Sequence, residues 1–165
     1  MTALFLSLTA FNLLCLALCA ALGYAVGGTV SGQWHQLAGV ASIMICCAVH
    51  CVVFTYFIAT AKWVQHAIAV KHLDASLAVP TRSFKRQAFP AALLAMMITF
   101  AATILGAARF SYGISGRWHE ALAWLAIATN LLVAIVEYRA IARNASLIDE
   151  ILARINDTPG AERPL

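Results

Sequence analysis

Four long apolar runs, at residues 3–26, 37–58, 89–108 and 121–136, limit this chain to very few folds. A helix rising about 1.5 Å per residue needs about 20 apolar residues to cross a hydrocarbon core of about 30 Å. The runs are of that order, so transmembrane helices are expected. Composition agrees: 62% of the 165 residues are apolar and 11% charged, and the mean hydropathy is +0.84. Soluble domains have about 45–50% and about 25% of these classes. The expected fold is an all-α integral membrane protein, a bundle of four transmembrane helices in one domain over residues 1–155. A flexible tail is expected from 156 to 165.

Two of the runs are introduced by the same words. Ser31-Gly32-Gln33-Trp34-His35 precedes the second, and Ser115-Gly116-Arg117-Trp118-His119 precedes the fourth. The offset also aligns Ile43, Val49 and Val52 with Ile127, Val133 and Val136. With one inserted residue, Leu22-Gly23 meets Leu105-Gly106. Such an echo marks an internal repeat. Two tandem helical hairpins, about 3–73 and about 89–155, are expected, related by a pseudo-twofold axis along the membrane normal. Gly23 and Gly27 are spaced as GxxxG, which suits either close helix approach or loosening before a turn.

The first run resembles a secretory signal only superficially. No Lys or Arg precedes it, and it exceeds the usual h-region of about 7–15 residues, so a retained helix is expected. Helical periodicity continues beyond Lys62 and Trp63, through Val64, Ala67 and Ile68. A second extension follows Glu137-Tyr138-Arg139, with Leu147, Ile148, Ile151, Leu152 and Ile155 at helical spacing. The two extensions are expected to pack on each other. Residues 74–87 read as the one polar connection of any length, and Pro90 as a first-turn proline of the third helix.

The net charge of +4 is not a nucleic-acid footprint, because Lys and Arg sit at the ends of apolar runs. Lys62, Lys71, Arg82, Lys85, Arg86, Arg139, Arg143, Arg154 and Arg163 fall on one side, against Arg109 and Arg117 on the other. By the positive-inside rule both termini are cytoplasmic and both Trp-His pairs lie on the outer face. A multi-pass protein of the bacterial inner membrane is expected, with the lipid bilayer as its first partner. A homo-oligomer or a larger membrane complex is expected besides, and no nucleic acid.

Three histidines carry the functional expectations. His35 and His119, in the first turns of repeat-related helices, could ligate a haem or metal between them; equally, they could anchor the interface beside Trp34 and Trp118. Ser31 and Ser115 suit the N-caps of those helices. His50 lies about 20 Å below the outer surface by helix rise, where an ionisable residue is expected to be functional. Cys46, Cys47 and Cys51 surround it in sequence, and Met97 of the third helix falls at similar depth. Thiol, thioether and imidazole ligands together suit copper(I), and a His–Met pair suits haem. Packing is the competing role for the sulfur atoms. Asn130, the repeat position of Cys46, is expected to hydrogen-bond a neighbouring helix. Glu137, near Tyr56 and Tyr138, is expected to be a solvated interfacial carboxylate, with a proton-relay or quinone-headgroup role as the alternative, and His66 and His72 are expected to be surface residues.

There is no phosphate-binding glycine loop, no HExxH and no nucleophile elbow, which argues against hydrolytic and phosphoryl-transfer chemistry. The leading expectation is a redox-associated membrane module binding haem or copper through His50, with His35 and His119 as a further pair. The alternatives are a non-catalytic subunit or assembly factor that binds no cofactor, and a small transporter acting as a dimer.

Overall fold

The computed structural model describes residues 1–28 and 31–157, with backbone alone at 110 and 111. Four long helices account for nearly all of it: α1 (Thr2–Ala25), α2 (Gly32–Lys71), α3 (Val79–Tyr112) and α4 (Gly116–Asp157). A single 3-10 turn, Ala75–Ala78, joins α2 to α3. Each helix packs against its neighbours in the chain, and α1 closes the ring against α4. All four contain windows long and apolar enough to cross a membrane. The protein is an all-α, multi-pass four-helix membrane bundle.

The distribution of side chains reverses that of a soluble protein. Leu4, Leu14, Leu37, Met44, Leu132 and other large apolar residues are exposed. The interior is lined by small residues such as Ala88, Ala92, Ala95 and Ala126, together with Asn12, Ser42, Thr99, Thr129 and Asn130. Lipid is as apolar as leucine, so helices in a bilayer gain by close approach and interhelical hydrogen bonds. Small and polar residues inside, with bulk outside, is the arrangement those forces favour.

The helices outrun the apolar runs at the end away from the Trp-His turns. Residues 79–87 are helical, so the expected polar connection shrinks to His72–Ala78. Pro80 accounts for part of this: it occupies the first turn of α3, where a missing N–H costs nothing. Leu77, Thr81, Phe84 and Ala88 then recur at helical spacing and are all buried. Pro90 is therefore not a first-turn residue but lies inside α3. At the start of the chain connection, His72 ends α2 in the left-handed region at φ 50°. Asp74 caps the 3-10 turn, accepting from the Ser76 hydroxyl and amide, which together hold its carboxyl below the usual carboxylate range.

The extensions of α2 and α4 do pack together. Val64, Ala67, Leu147 and Ile151 are buried in one apolar cluster with Leu77 and Phe84. Asn156 and Asp157 belong to α4 rather than to a frayed tail, and the rest of that tail, from 158 on, lies outside the described residues.

Candidate functional site

At the opposite end of the bundle, α2 and α4 begin at the two Trp-His sequences, and their histidines turn inward. The His35 and His119 rings lie edge to face with centroids 5.8 Å apart. Trp34 and Trp118 point the other way, each about two-thirds exposed, as an aromatic belt requires. Adjacent positions on a helix differ by about 100°, so a Trp-His dipeptide at a helix start separates an outward from an inward side chain. Ser31 flanks α2 in an extended conformation but makes no side-chain cap bond; its carbonyl accepts from the Trp34 amide.

Both imidazoles are held in the same way. His35 Nδ1 lies 3.1 Å from the Cys19 carbonyl oxygen on α1, and His119 Nδ1 lies 3.0 Å from that of Ala102 on α3. A carbonyl can only accept, so Nδ1 is the donor in each ring and Nε2 takes no part in that bond. The rings lie directly on glycines. A Cβ on Gly23 would fall 2.9 Å from His35 Cε1, and one on Gly106 would fall 2.8 Å from His119 Cε1. The apparent GxxxG of α1 is thus two separate features: Gly23 admits a ring, and Gly27 makes a turn at φ 89° with open space around it.

A cavity of about 710 Å³ opens between the helices at this end, and both histidines line it. Its walls include Gly39, Ala102 and Ala126, and its polar groups include Ser42, Thr99, Arg109 and Glu120. At the rim, Trp124 Nε1 donates to the Tyr24 hydroxyl at 3.0 Å, and that hydroxyl donates to Glu120 at 2.5 Å, linking α1 to α4.

Deeper in the bundle a second polar group spans all four helices. Asn130 on α4 accepts from Asn12 Nδ2 of α1 (3.0 Å) and from Cys46 Sγ of α2 (3.4 Å), and donates to Thr99 Oγ1 of α3 (3.0 Å). Its second amide hydrogen goes to the Ala126 carbonyl, so all four of its bonding positions are used. The expected single interhelical bond of Asn130 is thus a junction of the whole bundle.

One turn beyond Cys46, His50 Nδ1 lies 2.9 Å from Glu137 Oε1, with both side chains almost wholly buried. Glu137 is not the solvated interfacial group its flanking Tyr138 and Arg139 suggested: it is 1% exposed and faces α2. Nearer the extensions, Asn144 donates to Tyr56 and Thr60, each at 3.0 Å. His66 and His72 are exposed, as expected.

The sulfur residues do not gather round His50. Cys46 is buried and bonded to Asn130 and Thr99, whereas Cys47 is half-buried, Cys51 exposed, and Met97 63% exposed on the outer face of α3. Consecutive positions such as His50 and Cys51 diverge by about 100° on a helix, so sequence proximity scattered them around α2. Among the described residues no group of three or more His, Cys, Asp or Glu is placed to hold a bare metal ion. His50 does not line the cavity. Comparison with protein-family models, curated proteins and solved structures finds no match to this chain.

Proposed function

We propose that the protein is a membrane electron-transfer module that would bind one haem in the cavity between its helices, with His35 and His119 as the residues that would hold it. The observation that carries this reading is the pair of imidazoles 5.8 Å apart, each fixed through Nδ1 with Nε2 left to bind. A bare ion would require further protein ligands; a porphyrin supplies four nitrogens itself and asks only for axial ones. Hydrogen bonding of the distal ring nitrogen to a carbonyl is the usual way to orient a ligating imidazole. Glycine and alanine walls suit a flat macrocycle between helices.

An internal repeat supports the same reading. Three contacts join residues 84 positions apart: Cys46 with Asn130, Thr60 with Asn144, and His35 with His119. A side chain meeting its own repeat equivalent is what a twofold axis between α2 and α4 produces, and an axial pair of ligands on that axis is a natural consequence. The positive-inside bias sets the haem toward the outer face and both termini in the cytoplasm of a bacterial cell.

The test is an absorbance spectrum with haem quantification on detergent-purified full-length protein. A Soret band with about one haem per chain is expected. Protein expressed with adequate haem supply that shows no Soret band would instead favour a non-catalytic subunit or assembly factor.

A further inference from the structure

We propose that His50 and Glu137 form a buried proton-accepting site, which takes up one proton when an electron enters at the His35/His119 end. This rests on the haem reading above and extends it from electron transfer to proton-coupled electron transfer.

The first support is connectivity. Thr99 lines the cavity and accepts from Asn130; Cys46 bonds both; and His50 lies one turn further along α2, bonded to Glu137. Hydrogen bonds thus run from the cavity wall as far as Cys46, and the pair stands one helical turn beyond it. On the other side Val53, Phe57 and Ile141 are buried against one another, and the next polar group, Asn144 with Tyr56 and Thr60, stands two turns further along α4. The polar route opens on the cavity and closes toward the extensions, as suits a site loaded from one side.

The second support is unfilled bonding capacity along that route. His50 Nε2 and Asn12 Oδ1, which is on the residue bonded to Asn130, are buried and make no hydrogen bond within the protein, as is also true of Thr9 Oγ1 on α1 and of Asn144 Oδ1 toward the extensions. Buried polar atoms of this kind are normally satisfied by internal water, and water among side-chain donors and acceptors is a proton conductor.

The third is asymmetry. The repeat counterparts of His50 and Glu137 are Ala134 and Val53, so duplication does not explain the pair. Nor does helix association require it, because Asn130 already bonds to three helices. An ionisable pair in hydrocarbon is costly and points to proton handling. The ionisable groups that face His50 are Glu137 from α4 and Cys46 from α2. At this level α1 and α3 contribute Asn12 and Thr99, neither of which titrates.

A haem held by His35 and His119 would supply one-electron redox chemistry, with dithionite as the reductant in the test below; for each electron the His50–Glu137 pair takes up one proton from bulk solvent by way of the cavity, forming one O–H or N–H bond. Oxidation reverses both. The added negative charge at the iron favours the added proton, since charges in a low-dielectric interior are weakly screened.

The experiment is a mediated dithionite titration of haem-loaded, full-length protein at a series of pH values. In the wild-type protein the midpoint potential should fall with pH, by up to about 59 mV for each tenfold change in proton concentration where one proton accompanies one electron. Glu137→Gln and His50→Gln should lose that slope while keeping the Soret band. A flat wild-type profile, or a slope unchanged in both variants, overturns the proposal. Because a variant can misfold, the redox-induced infrared difference spectrum of the wild type gives an independent reading. A carboxyl or imidazole band sensitive to D2O should change on reduction, and its absence also overturns the proposal. If the wild type has no Soret band, the haem reading itself fails before any slope is measured.

Discussion

The His119 ring lies against Gly106 so closely that a Cβ there would sit 2.8 Å from Cε1 and 3.0 Å from Nδ1. The ring cannot move aside without giving up its bond to the Ala102 carbonyl. Gly106→Ala is therefore expected to displace the His119 ring and, under the proposed function, to lower haem occupancy. The overpacking is expected to cost about 1–3 kcal/mol. Gly28→Ala, where the nearest atom would be 3.7 Å away, serves as the control and should leave the spectrum unchanged. Absorbance spectra and haem quantification of the two variants decide the matter.

His35 and His119 make matching contacts, so each should be necessary for a six-coordinate haem. His35→Gly and His119→Gly are each expected to shift the Soret band toward a five-coordinate spectrum. Added imidazole should restore the original spectrum, because the cavity left by the ring is the shape of the ligand. Rescue separates loss of a ligand from loss of fold. Variants that keep the wild-type spectrum would remove that residue from the ligand set.

The distance between what the sequence disclosed and what it withheld follows from the range of the signals. Helix number was legible because apolar length is a local property. So was the docking of the extensions, whose Val64, Ala67, Leu147 and Ile151 follow one period. Pro80 and Phe84 were misjudged because a cluster of basic residues masked a buried stripe on the same helix. Which way a histidine faces depends on the partner helix, and Gly23 and Gly106, aligned in the repeat, were the signal that a ring needs room. His50 could be singled out by depth alone. Its partner could not, because Glu137 sits beside Tyr138 and Arg139 and looks interfacial until α2 is laid against it.

The His50–Glu137 pair should behave as a buried pair whose members depend on each other. Interhelical hydrogen bonds in membranes average about 0.6 kcal/mol, because unfolded helices find other partners. Removing one member of a buried charged pair costs more, since the other is stranded. His50→Leu is thus expected to destabilise the protein by about 2 kcal/mol or more. The double variant His50→Leu/Glu137→Leu should recover most of that loss. Thermal unfolding in detergent, followed by circular dichroism, completes the cycle. Additive losses in the double variant would show that the two residues are not coupled.

Asn130 uses every donor and acceptor it has, on all three other helices. Asn130→Leu strands the Asn12 amide, whose oxygen already lacks a protein partner. A loss of about 1–3 kcal/mol is expected, the cost of leaving buried polar groups unmade. The same variant interrupts the polar route between Thr99 and Cys46, so proton uptake at His50–Glu137 should slow. Stopped-flow reduction in the presence of a pH indicator would measure this.

The paired extensions can be tested separately from the site, because they lie at the other end of the bundle. Ile151 is 0% exposed among Val64, Ala67, Leu77 and Leu147, on the part of α4 that continues beyond its apolar run. Ile151→Asp would bury a carboxylate with no cation in the cluster, while Asp at the exposed neighbour Leu152 would meet solvent. The first should open the packing between the ends of α2, α3 and α4; the second should not, and surface changes of that kind are usually within about 0.5 kcal/mol. Limited proteolysis of protein in detergent is expected to cut Ile151→Asp within residues 140–157 and to leave Leu152→Asp and wild type intact. If the protein binds haem as proposed, the Soret band should survive in both variants, since His35 and His119 are held by Cys19, Ala102, Gly23 and Gly106 at the far end. Loss of the band in Ile151→Asp alone would mean that the extensions hold the helices of the cavity in register, and that the two ends fold as one unit.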